Sequence, residues 1–282
     1  MKKKWVGIAS VLMGSAVVYW QNRKVVKTTY ELPIFDLPKE LEEFTIIQLS
    51  DIHFPNELLD TNHLTKQIAQ QKPDIIIITG NLVTAKGNYD RKEMTYFIQG
   101  LVNIAPTYVV SGYHEYKMKH LDKLREDIAE AGGIYLENDT IWHRHKKSGV
   151  LIMGLDEKTA QQTKDSLYLR RIHVPEEHSY DVKILLAHHP EWFLFYHTEE
   201  EKLPDVTFSG YAKGGHVRLP VIGGLFSNNQ GVLPNYTEGV YAHPILPDKL
   251  LVISRGIGTS KKIPLRVNNK PEMVVAKLIA KN

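Results

Sequence analysis

The 282 residues, 43% of them hydrophobic, suffice to bury one sizeable core, and neither a repeat nor a low-complexity tract divides them. The net charge of +3 belongs to the N-terminal segment: residues 1–27 hold six Lys or Arg and no acid, which leaves 29 basic against 32 acidic residues, a net of −3, in the remainder. That remainder has no cluster of Lys and Arg with interleaved aromatics, which excludes a nucleic-acid-binding stripe, and the lack of cysteine excludes a disulfide framework or a thiolate metal site.

In chain order, the first element is KKKWVGIASVLMGSAVVYWQNRK. Only apolar and small residues lie between Trp5 and Trp20, with an indole at each end and cations outside, the pattern of a segment anchored at both interfaces of a bilayer. Its sixteen residues reach about 24 Å as a helix, short of the roughly 30 Å hydrocarbon core, so the span would be thin or slightly inset. A cleaved signal peptide with Gly14 and Ala16 at the cleavage site is the competing reading; the apolar VVYW just beyond it favours an uncleaved anchor. The expected organisation is a membrane anchor at 1–27 and one domain at 28–282. A single pass with the N-terminus inside would place the body outside the cytoplasm, on the cell membrane.

The body alternates apolar β runs with helical patterns. FTIIQL (44–49), DIIIIT (74–79), TYVV (107–110), VLIMG (150–154), VKILLA (182–187) and DVTFS (205–209) read as buried strands. Helical periodicity covers Leu58–Gln71, Arg91–Val102 and His120–Ala131, and KLLVIS, KIPLRV and EMVVAKLI read as later strands. The order predicts an α/β fold: a four-layer α/β/β/α sandwich of two mixed β-sheets flanked by helices.

Five of these strands run straight into polar clusters: SDIHFPN, GNLV, SGYHEY, HHPEW and GYAKGGH. Ligands bind at the carboxyl ends of sheet strands, so these tips should converge on one site. The order D-x-H, G-N, G-Y-H-E, H-x-P and G-Y-x-K-G-G resembles the signature of the calcineurin-like metallophosphoesterases, in their membrane-anchored bacterial branch. The likeness runs over about residues 44–282.

The resemblance implies a pair of divalent cations (Mn, Zn or Fe) that hold a phosphoester and activate a bridging water. It places Asp51, His53 and His188 at retained metal-ligand positions, and His114 where the family stabilises phosphoryl oxygens or protonates the leaving group, with Glu115 following it. Four ligand positions are substituted: Asn81 stands for the bridging carboxylate, Tyr113 for an amide, and Tyr211 and Lys213 for two imidazoles. His216 occupies a nearby place. A cation at Lys213 repels a metal beside it, so Lys213 is expected to replace the first metal as the partner of Asp51, with Tyr113 and Tyr211 in the second metal's volume.

Three readings follow from these substitutions. One is a pseudoenzyme with no tightly bound metal that acts by binding an envelope partner. Another is an active phosphoesterase or phosphodiesterase whose atypical site uses Lys213 and His114 on the phosphoryl charge. The third is a sensor that keeps the anion pocket, again Lys213 and His114, without turnover. Exposed-looking apolar residues in GGLFSNNQGVLPNY (223–236) favour a lipid-linked or envelope phosphoester as ligand.

Overall fold

The computed structural model describes residues 19, 21–85, 89–259 and 266–281. Its first sheet takes β1 (Val26–Ile34), β2 (Thr45–Leu49), β3 (Ile75–Thr79), β4 (Thr107–Val110), β5 (Ile134–Leu136) and the last strand, β16 (Glu272–Ala280), in the order β1-β16-β2-β3-β4-β5. β2 to β5 run parallel, and β16 enters between β1 and β2, antiparallel to β2. The second sheet takes β6 (Asp139–His145), β7 (Ser148–Gly154), β8 (Val182–Leu186), β9 (Val206–Ser209), β14 (Gly239–Ala242) and β15 (Leu250–Ile253), in the order β14-β15-β9-β8-β7-β6. Here β7, β8, β9 and β15 are parallel and both edge strands antiparallel. Between β9 and β14 lie two short hairpins, β10 (Arg218–Leu219) with β11 (Gly223–Gly224) and β12 (Phe226–Ser227) with β13 (Gly231–Val232).

The two-residue period of a strand explains how the sheets pack. In IIIIT, Ile75 and Ile77 point between the sheets, with Ile152, Ile184, Phe208 and Val252 of the second sheet in the same cluster. Ile76 and Ile78 point the other way, onto the helices. A run that is apolar at every position is what a strand buried on both faces requires. The helices α1 (Thr61–Ala69), α2 (Arg91–Val102) and α4 (Leu121–Glu130) cover the first sheet with Leu64, Ile68, Met94, Phe97, Leu124 and Ile128. Capping carboxylates start two of them: Asp60 accepts from the His63 N–H at 2.9 Å and Asp90 from the Lys92 N–H at 2.8 Å. Around α1 the cap shortens the element from the expected Leu58–Gln71. α3 (Tyr113–Tyr116) is a single turn at the tip of β4, and α5 (Glu157–Gln162) with the 3₁₀ turn Pro190–His197 forms a thinner layer over the second sheet.

Several elements were not legible in the sequence. β1 is an edge strand, VKTTYELPI, whose alternating side chains leave one face half exposed, so it shows no apolar run. Because it begins at Val26, and Asn22 exchanges two 3.0 Å hydrogen bonds with the backbone of Arg266, the folded body starts ahead of the expected boundary at 28. The expected span from Trp5 to Trp20 lies outside the described residues apart from Tyr19. Among the described residues no helix is long and apolar enough to cross a membrane. The expected strand KIPLRV also falls mostly outside them, and its last residue, Val267, makes one parallel bridge to Val217.

Candidate functional site

The tips of β2, β3, β4, β8 and β9 meet where the two sheets approach each other. Across this seam, Gln48 Nε2 donates to Ser209 O at 2.8 Å, and within the second sheet the Gly210 N–H bonds the β8 tip at His188 O, 3.1 Å away. The loops turn sharply as they leave the strands. Asp51, His53, Asn81, Tyr211, Lys213 and His216 all take φ between +50° and +60°, a region that non-glycine residues rarely adopt and that clusters at functional sites. Glycines permit the contact between tips: a Cβ on Gly112 would sit 2.6 Å from Asn81 N and 2.8 Å from His188 Nε2.

Asp51 is the centre of the cluster and is fully buried. Its Oδ1 lies 2.8 Å from the Lys213 ammonium and accepts from Asn81 Nδ2 at 2.8 Å. Its Oδ2 accepts from the Tyr211 N–H and from Ser50 Oγ, each at 3.0 Å. Burial by itself would raise this carboxyl, but Lys213, then His188 and His53, outweigh it and hold Asp51 well below the ordinary aspartate range. Lys213, only 4% exposed, therefore sits inside the site as the cationic partner of Asp51.

Asn81 is committed on both sides of its amide, since its Oδ1 accepts from the His114 N–H at 2.8 Å. Glu115 locks the neighbouring backbone: its carboxylate accepts from the N–H groups of Asn81, Val83 and Gly112, each at 2.9 Å. Burial raises the Glu115 pKa to about 7, although those three donors pull the other way.

The imidazoles are differently placed. His188 donates Nδ1–H to Thr79 O at 2.6 Å, which leaves Nε2 a buried acceptor with no hydrogen-bond partner among the described residues. Neither nitrogen of His53 has one, and its Nε2 lies 3.6 Å from Asp51 Oδ1. Burial, reinforced for His53 by the charge on Lys213, holds both rings below the usual histidine pKa. His114 accepts the Ala85 N–H on Nδ1 at 3.0 Å, and its ring centroid is 4.6 Å from that of His53. His216 is buried beside the Lys213 turn, and burial together with Lys213 and Arg266 lowers it to about 4.

Tyr211 fills the space between His188 and His189, with ring centroids 5.4 and 4.1 Å away, and donates its hydroxyl to Asn229 Oδ1 at 2.9 Å. Tyr113 does not join it. The helical turn α3 starts at this residue and directs its side chain to the rim, 39% exposed, where the Lys117 ammonium lies 5.3 Å from its ring. Of the two tyrosines expected in the second metal's volume, Tyr211 is buried and Tyr113 stands at the rim.

Beside Tyr211 lies a buried network centred on His189, whose carboxylate partner Glu157 stands outside the five motif blocks. His189 bonds Glu157 Oε1 at 2.7 Å and Glu191 Oε1 at 2.8 Å, between the rings of Trp192 and Tyr211. The available signal was the tip of β7, where VLIMG runs into Leu155, Asp156 and Glu157, a sixth polar strand end. Burial opposes a charge on His189, but the two carboxylates raise its pKa to about 9. This value lies above the unfolded one of about 6.5. The contribution to stability is therefore complete below about pH 6.5 and is lost as pH rises through about 9. Urea unfolding from about pH 6 to 10 should show stability falling by on the order of 3 kcal/mol over that window. His189→Gln should flatten the decline, and an unchanged slope would contradict the charged triad.

The donor set does not suit a pair of metal ions. Both Asp51 oxygens already accept two donors each, Asn81 offers an amide that donates to Asp51, and the Lys213 ammonium on Oδ1 would repel a cation bound there. His53 and His188 keep nitrogens for a ligand. Among the described residues, however, no three His, Asp or Glu side chains are grouped to hold a metal. A groove of about 910 Å³ bounded by Val182, Asp205 and Lys249 lies at the opposite, amino-terminal ends of the second sheet's strands, away from this cluster.

Comparison with known proteins agrees with the strand-tip motifs. The sequence model of the calcineurin-like phosphoesterases matches residues 44–224. Metallophosphoesterase YkoQ of Bacillus subtilis is 26% identical over 237 residues, covering 82% of each chain. Metallophosphoesterase YkuE of the same organism is 24% identical over 279 residues, covering 94% of this chain and 89% of its own. Phosphodiesterase YaeI of Escherichia coli is 23% identical over 243 residues, covering 84% of this chain and 82% of its own.

Proposed function

The chain belongs to the calcineurin-like phosphoesterase family, and from that premise we propose that this member works as a binding module at the cell envelope rather than as a two-metal hydrolase. The carrying observation is the buried Asp51–Lys213 ion pair, closed by Asn81, at residues that the motif resemblance assigns to metal ligands. A phosphate-bearing envelope molecule or a protein that carries one is the ligand class, received at the mouth beside His53 and His114. The apolar N-terminal segment keeps the protein on the membrane with the body outside the cytoplasm.

Full-length protein equilibrated with Mn²⁺, Zn²⁺ or Fe²⁺ and then dialysed should retain far less than two metal ions per chain by elemental analysis. A stoichiometry of two that survives dialysis would overturn the proposal. The second reading, an atypical phosphodiesterase, draws on the unpartnered nitrogens of His53 and His188 and on the name of the relative YaeI. Hydrolysis of bis-p-nitrophenyl phosphate that is lost in His114→Ala would establish it in place of the first.

A further inference from the structure

The hairpins that follow the Lys213 turn carry an apolar surface that the site chemistry does not use. Leu219, Val221, Ile222, Phe226, Val232 and Leu233 are each between 36% and 107% exposed. They fall within fifteen residues, and no charged residue stands between Arg218 and Glu238. Single exposed apolar residues are ordinary, whereas a group of this density marks a contact surface. Two of the exposed side chains also sit on backbone that favours glycine, Val221 at φ +71° and Leu233 at φ +52°.

The position of these hairpins indicates what covers them. Arg218 N donates to Val267 O at 3.1 Å, and Val267 bridges Val217 at the base of β10–β11. Arg266, the preceding residue, exchanges its backbone hydrogen bonds with the side chain of Asn22, within the short helical stretch at residues 21–23. The described chain that follows the apolar run therefore enters the body beside the hairpins, at the strand-tip end, where Arg23 and Lys24 are exposed.

We infer that β10–β11 and β12–β13 form a wedge that rests in the interfacial layer of the lipid bilayer, so that the strand-tip site faces the headgroups. The inference builds on the reading of residues 1–27 as a membrane segment. A short anchor and an apolar hairpin tip a few residues away along one hydrogen-bonded path make two points of attachment, which fix the orientation that one alone would leave free.

The chain has no cysteine, so single labels are unambiguous. Full-length Val221→Cys and Val232→Cys, labelled with an environment-sensitive fluorophore, would be reconstituted into vesicles of phosphatidylcholine and phosphatidylglycerol. Tyr180→Cys, a fully exposed position just before β8 at the opposite end, serves as the control. The hairpin labels should brighten severalfold, resist iodide and be quenched by doxyl lipid, while the control label stays aqueous. Protein that floats with the vesicles but carries iodide-accessible hairpin labels would overturn the wedge and spare the anchor. Protein that does not float would overturn both. Shielding that grows with protein concentration in the absence of vesicles would mean a second copy of the chain covers the surface, and would overturn the lipid assignment. None of these outcomes depends on metal content, so the binding-module reading stands or falls separately.

Discussion

Lys213→Ala should be among the most destabilising single substitutions in this protein, costing about 3–5 kcal/mol at neutral pH. Asp51 is 0% exposed and its Oδ1 has the Lys213 ammonium at 2.8 Å. Truncating the lysine leaves a buried carboxylate with only neutral donors, from Asn81, Tyr211 and Ser50. An uncompensated buried charge is far more costly than the net worth of the intact pair. The double variant Asp51→Asn with Lys213→Met removes both charges and should recover most of the loss.

The pH dependence checks the cause. With its folded pKa depressed, Asp51 contributes stability that is complete above the unfolded value of about 3.9 and is lost as pH falls through the lower folded value. In Lys213→Ala the carboxyl loses its cationic partner and becomes easier to protonate, so the deficit relative to the parent should shrink in acid. Urea titrations at about pH 7 and about pH 4 measure both effects. A deficit under about 1 kcal/mol at neutral pH, the range of an exposed pair, would show that water replaces the ammonium and that the pair is not a buried one.

Restoring four side chains together should convert the site into a metal centre. The variant Asn81→Asp, Tyr113→Asn, Tyr211→His and Lys213→His removes the cation on Asp51 and supplies a carboxylate at the bridging position. It joins these to both ring nitrogens of His53 and to His188 Nε2, which already lack hydrogen-bond partners among the described residues. Elemental analysis after dialysis should find two divalent metals per chain in the variant and far fewer in the parent. Asn81→Asp alone should fare worse than the parent, because it brings a second carboxylate against Asp51 Oδ1, where the Asn81 amide now donates at 2.8 Å. Like charges at that distance resist ionising together. Lys213→His alone should bind metal poorly, since the bridging amide and Tyr211 remain. Asn81, Tyr211 and Lys213 all touch Asp51, so the effects at these three positions should not add. A folded fourfold variant that binds no more metal than the parent would mean that the loop backbones themselves have moved away from a metal-holding arrangement.

Much of this molecule is written locally. The uninterrupted IIIIT of β3 requires a strand buried on both faces, and the polar clusters after β2, β3, β4, β8 and β9 mark where parallel strands end, so two sheets and one converging site could be read from one-dimensional pattern. The substitutions at Asn81, Tyr113, Tyr211 and Lys213 are also visible without coordinates, because each stands at a fixed offset from a strand. Other features depend on contacts between residues far apart in the chain. β1 shows no apolar run because it is an edge strand, and only its pairing with β16 reveals it. The rim position of Tyr113 follows from the turn α3 and the tight approach of Gly112 to His188, which offset alone does not encode. The His189 triad draws Glu157 from one strand tip and His189 and Glu191 from another, and its charge state arises from burial and two carboxylates acting together. Side-chain type and spacing are properties of the local sequence, whereas desolvation and the distance between charges exist only once the chain has closed on itself.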